Sequence, residues 1–111
     1  MAHEVIWLPQ ATGDLFAIVA YLEVRSATAA AHVVTAVNDA MQRIAIFPHA
    51  GRIIPESEDP LRRETFVFQY RVMYRIDDDR IAVLRVIHGK RLIANLSGSF
   101  EEAHQAEYVA S

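Results

Sequence analysis

The sequence predicts an α+β fold of order β-α-α-β-β-β, with a mainly antiparallel sheet, two N-terminal helices packed on it and a short C-terminal helix. Three observations predict this. Ahead of Pro48, apolar residues recur every three or four positions, the spacing of helices with one buried side. Residues 48–60 then gather three of the four prolines and a glycine, which reads as a loop. Beyond it the period falls to two, among aromatic and β-branched residues that suit strands.

His3 to Leu8 is a short extended segment, and Pro9 ends it by lacking the donor a ladder needs. Ala11, Leu15, Ile18 and Leu22 form the buried stripe of a helix at about 10–25, with Thr12 as its cap. Ser26 or Thr28 caps a second helix, whose stripe is Val33, Val37, Met41 and Ile44 or Ala45, and Pro48 stops it. So short a link between them makes a helical hairpin the cheapest geometry. Trp7 and Phe47 read as core residues. Within the loop, Arg52 to Ile54 is a short extended piece, and Arg52 is expected to anchor the loop through Glu56 or Glu58.

Leu61 to Gln69, Tyr70 to Ile76 and Ile81 to His88 are the remaining strands, with a tight turn through Asp77, Asp78 and Asp79. A two-residue turn at Asp78 and Asp79 sets Ile76 opposite Ile81 and Tyr74 opposite Val83. Strict alternation then places Val72, Tyr74, Ile76, Ile81, Val83 and Ile87 on the helix-packed face. Arg71, Arg75, Arg80 and His88 share the other face with Met73, Ala82, Leu84 and Val86. Ser99 and Glu102 form a capping box for a helix at about 100–109.

The chain has 111 residues, 52% apolar and 23% charged, which is globular composition with room for one domain. Residues 1–92 are expected to form it, followed by a tail at 93–111. The absence of cysteine excludes disulfides, thiol nucleophiles and thiolate metal sites. No apolar run approaches the roughly 20 residues a membrane span needs. The opening MAHEVIW has no basic region ahead of an apolar one, so no signal peptide is expected and the cytoplasm is the expected compartment. The five histidines have no metal-binding spacing, and no metal or other cofactor is expected.

Charge is unevenly spread. Residues 61–91 hold eight basic and four acidic side chains, a net of +4, between flanks of −4 and −3. Such a section suits nucleic acid or an acidic protein segment. The chemistry-bearing candidates are Arg71, Arg75, Arg85, His88, Lys90 and Arg91. Arginine grips phosphate or carboxylate through two charge-assisted hydrogen bonds, and histidine transfers protons near neutral pH. Two readings of Arg71 and Arg75 stand side by side: sheet arginines with packed stems and solvated ends, or anion binders. His88 is a strand-end residue, a contact to a macromolecule, or an acid/base group.

Several segments in order carry a resemblance: Pro9, Ala11 and Asp14-Leu15; Tyr21-Leu22; Phe47-Pro48-x-x-Gly51-Arg52; Leu61-Arg62; Tyr70-Arg71-Val72-x-Tyr74-Arg75; and Leu84-Arg85-Val86-x-His88-Gly89-x-Arg91. Over about residues 5–92 the chain resembles the ParE/RelE superfamily, the toxin half of type II toxin–antitoxin pairs. That resemblance implies two helices packed on an antiparallel sheet and a cognate antitoxin whose C-terminal segment wraps the toxin. It also implies one of two targets. The RelE-like branch cleaves messenger RNA in the ribosome, and the ParE-like branch poisons DNA gyrase.

The RelE-type catalytic pattern is partly matched. Arg71 and Arg91 stand at its arginine positions, and Arg62 stands where a second-strand lysine is usual. Glu64 reverses the charge of a neighbouring lysine position, and the expected tyrosine falls on Ser97. His88 lies near the place of a histidine used in a related ribonuclease, but its aromatic successor is Gly89. The resemblance therefore favours the ParE-like branch, a binding toxin acting on DNA gyrase. The alternatives are a ribosome-dependent endoribonuclease using Arg62, Arg71, His88 and Arg91, or a degenerate toxin that only binds its antitoxin.

Overall fold

The computed structural model describes residues 2–90. In chain order these form β1 (Glu4–Trp7), α1 (Pro9–Glu23), α2 (Ala27–Ile46), a 3₁₀ turn at Pro48–Ala50, β2 (Arg52–Ile53), β3 (Arg62–Val67), β4 (Tyr70–Asp77) and β5 (Arg80–His88). The predicted α+β order is the observed one, with β2 as the short extended piece. Arg91, the helix expected at 100–109 and the tail at 93–111 lie outside the described residues.

The strands form one sheet in the order β1-β5-β4-β3-β2. β1 runs parallel to β5, and every other neighbouring pair is antiparallel. β1 and β5 are thus adjacent although 72 residues separate the end of one from the start of the other, a crossover that places the helices on one face.

α1 starts earlier than its expected Thr12 cap. Pro9 occupies its first turn, where a missing N–H costs nothing, and Leu8 precedes it without a side-chain cap. α2 begins as expected, with the Ser26 hydroxyl accepting the Ala29 N–H at 3.1 Å, a cap worth about 1 kcal/mol. The helix-side core joins Ala11, Val33, Val37, Met41 and Ile44 to Val67, Tyr70, Val72, Tyr74, Ile76, Ile81, Val83 and Val86, with Leu15, Ile18 and Leu22 packed beside them. Trp7 also packs there, but Phe47 is 67% exposed, because α2 ends at Ile46 and Phe47 is its C-terminal cap. A second cluster of Leu8, Ile54, Met73, Ala82, Leu84 and Ile87 lies on the opposite face of the sheet.

The Asp78–Asp79 turn gives the expected partners, Ile76 with Ile81 and Tyr74 with Val83. The register then slips. Met73 pairs with Arg85, so Leu84 is an extra residue on β5. Past that bulge the alternation is inverted: Val86 joins the helix-side core and Ile87 the opposite cluster. His88, paired with Tyr70, moves to the helix side and leaves the face on which alternation placed it.

Candidate functional site

The face of the sheet away from the helices carries an array of ion pairs set by register. Glu64 on β3 lies beside Arg52 on β2 and two pairs along the ladder from Arg71 on β4. Its carboxylate accepts from Arg52 Nε at 2.6 Å and from Arg71 Nε at 2.6 Å. Arg71 also donates both terminal nitrogens to Glu56, at 3.0 and 2.7 Å. Both Glu64 and Arg71 are buried, at 1% and 3% exposure. The hydrogen bonding to Glu56 is the largest influence on the Arg71 guanidinium and, with Glu64, outweighs burial to raise its pKa above the ordinary arginine value. Buried charge on this scale is tolerated because each member is paired and hydrogen-bonded.

Four residues along the same face of β4, Arg75 bonds Asp59 at 2.9 Å and also pairs with Asp77. Burial alone would push the Asp59 carboxyl up, but the Leu61 N–H and Arg75, with Arg62 behind them, hold it below the usual carboxylate range. The expected anchoring of Arg52 through Glu56 or Glu58 is not found. Arg52 turns to Glu64, while Glu56 reaches Arg71 instead. The loop is anchored by the predicted arginine chemistry, with different partners.

The Phe47-Pro48-x-x-Gly51-Arg52 segment is shaped by Tyr74. Its hydroxyl donates to the Pro48 carbonyl at 2.7 Å and accepts the Gly51 N–H at 3.1 Å. A Cβ at Gly51 would lie 2.4 Å from that hydroxyl and 2.7 Å from the Glu64 carbonyl, so only glycine fits. Burial pushes the Tyr74 phenol up, against the opposing pull of Gly51 and Arg63.

Arg85 sits apart from this array. Its Nε and one terminal nitrogen reach Asp14 of α1 at 2.7 and 2.9 Å. Beyond Leu8, whose N–H donates to the Val83 carbonyl, β1 runs out, and Asp14 also accepts the Val86 N–H at 2.9 Å. Asp14 thus stitches the first helix to the bulged strand. Sequence reasoning gave it no such role, since its partner is 71 residues away.

The candidates therefore do not form one cluster. Arg62, Arg71 and Arg75 share the face away from the helices, and Arg85 is tied to α1. His88 lies across the sheet from Arg71, exposed, in edge contact with the Tyr70 ring at 6.3 Å between centroids. Lys90 is exposed beyond the end of β5. Among the described residues, no group of acidic and histidine side chains could hold a metal ion, and no helix is long and apolar enough to cross a membrane.

The helix side offers a different kind of surface. Phe16, Tyr21 and Val24 on α1 are 70%, 59% and 84% exposed. Trp7, Leu15, Phe16, Val19 and Val34 line an almost wholly apolar groove of about 330 Å³.

Comparison with known proteins agrees with this architecture. The solved chromosomal ParDE toxin–antitoxin system of P. aeruginosa contains a chain 21% identical to this one, with a TM-score of 0.65, over 78% of this chain and 96% of that one. The RelBE2 toxin–antitoxin complex of Mycobacterium tuberculosis contains one 25% identical, with a TM-score of 0.54, over 79% and 99%. No curated protein matches the chain. The family model of the ParE toxin of type II toxin–antitoxin systems matches residues 5–93. Sheet order, helical hairpin and family match agree, and the chain belongs to the ParE toxin family of type II toxin–antitoxin systems.

Proposed function

We propose that this toxin acts on DNA gyrase in the cytoplasm by protein–protein contact, stabilising a broken-DNA intermediate, and that a cognate antitoxin neutralises it. The observation that carries this reading is the internal neutralisation of Arg71, Arg75 and Arg85, each bonded to at least one carboxylate of the same chain. Cleaving RNA requires guanidinium groups aimed at the phosphate as its charge grows, and a proton-transfer group beside them. Here the buried arginine already holds two carboxylates, and His88 stands on the other side of the sheet. The exposed apolar groove along α1 supports recognition by protein, and an amphipathic antitoxin segment suits it.

The test is a supercoiling assay with purified gyrase, ATP and plasmid. Added toxin is expected to halt supercoiling and accumulate cleaved DNA, and the antitoxin to reverse both. Unchanged supercoiling at toxin in excess over gyrase overturns the proposal. Messenger RNA cleavage in a translating extract, abolished by Arg71→Ala, transfers the assignment to the endoribonuclease reading.

A further inference from the structure

The two carboxylates on Arg71 are unequal. Glu64 belongs to the framework: its side chain is fully buried, it sits inside β3, and it is shared with Arg52. Glu56 comes from the loop between β2 and β3 and keeps 24% of its side-chain surface in solvent. It takes the outer edge of the guanidinium with both oxygens, the fork-on-fork geometry by which arginine binds any carboxylate. Arg52 and Arg71 bring two positive charges and Glu64 one negative. Glu56 adds a second negative charge at a buried arginine, where a lost counter-charge is expensive. That requirement is for an anion at this edge. The backbone does not demand that the anion be Glu56.

The surroundings favour one kind of visitor. Phe66 pairs with Arg71 in the ladder, on the same face, and remains 51% exposed. The Arg52 guanidinium lies over its ring at 5.2 Å. Gly89 sits close by, since a Cβ there would be 3.4 Å from the Phe66 ring and 3.7 Å from the Arg71 stem. A carboxylate arriving here on a peptide meets an exposed ring beside the fork. A nucleic-acid backbone would instead bring repeated charges toward the exposed Glu58 of the same loop, which repels them.

We propose that the outer edge of Arg71 is a docking site for an acidic side chain of a protein partner, occupied in the free chain by Glu56, which the partner's carboxylate displaces. Exchanging one carboxylate for another leaves the net charge beside Arg71 unchanged. As an intramolecular ligand Glu56 acts at an effective concentration on the order of millimolar or above, so a partner succeeds by adding contacts such as Phe66. The site needs neither gyrase nor an enzymatic activity, so its test is independent of the proposed target.

The experiment compares wild type, Glu56→Ala and Glu58→Ala by thermal unfolding, in acetate or chloride at constant ionic strength. In chloride, Glu56→Ala is expected to lose roughly 5–10 °C in Tm, and acetate to restore at least half of that loss. Wild type and Glu58→Ala are expected to respond roughly tenfold less or not at all. Glu56→Ala unfolded in chloride but folded in acetate is the same result in stronger form. Equal behaviour in the two salts, or failure to fold in both, overturns the proposal. A second arm titrates Glu56→Ala with acetyl-Phe-Glu-amide, acetyl-Phe-Gln-amide and a short oligodeoxythymidine, observing the Arg71 Nε–H by NMR. The glutamate peptide is expected to shift that signal at roughly tenfold lower concentration than acetate does, and the glutamine peptide not to. Tighter binding of the oligonucleotide than of the glutamate peptide overturns the assignment to a protein partner.

Discussion

One sheet presents two faces that hold together by different physics. The face against α1 and α2 is almost entirely apolar, and its members lie on stripes of fixed period. The opposite face mixes a small apolar cluster with arginines and carboxylates held in register. On the first, any residue of similar size and polarity serves, because burial is non-directional. On the second, each residue is answerable to one or two named partners, because a buried charge without its counter-charge is costly. Loss on the helix side should therefore scale with volume removed, and loss on the charged side with charge left uncompensated.

The largest effect is expected at Glu64. Glu64→Ala removes the buried carboxylate that Arg52 and Arg71 share and should cost about 3–5 kcal/mol, read as a fall in the urea midpoint with unchanged slope. A loss no larger than that of an exposed carboxylate such as Glu58 would erase the contrast between the faces. On the helix side, Ile81→Ala at a fully buried position should cost about 2–5 kcal/mol, and Ile81→Val should recover most of it. Gly51→Ala, which forces a methyl against the Tyr74 hydroxyl and the Glu64 carbonyl, should cost about 1–3 kcal/mol. Paired with Tyr74→Phe it should cost less, since the closest clashing atom is removed.

The smallest effect is at Asp59, whose side chain is 27% exposed beside Arg75. Asp59→Asn should cost at most about 1 kcal/mol at neutral pH. Its folded-state carboxyl is held below the ordinary aspartate value of 3.8, so its contribution is present above that value and lost as pH falls through the folded value. The stability curves of wild type and Asp59→Asn should therefore converge below about pH 4. Curves that stay parallel into acid would show that the pairing contributes nothing.

The two faces were not equally legible. The stripes at Ala11, Leu15, Ile18 and Leu22 and at Val33, Val37, Met41 and Ile44 were readable because one-sided burial leaves its period in the chain. The Asp78–Asp79 turn and the pairs it imposes were readable for the same local reason. His88 was misplaced, since a single unpaired Leu84 reverses alternation and no residue type marks that bulge. Arg71 was singled out as an anion binder, and it does bind anions, but they are the chain's own Glu56 and Glu64. Asp14 entered only through the resemblance and its pairing gave no local signal, because an aspartate early in a helix is ordinary until Arg85 is known to face it.

Sequence alone determined the element order, the family and the helical stripes of the core, because hydrophobic periodicity and turn chemistry act over a few residues at a time. Tertiary structure decided which arginine met which carboxylate and where the alternation reversed. Those outcomes depend on strand register across separations from 7 to 71 residues, and in a strand a shift of one residue turns every side chain to the other face.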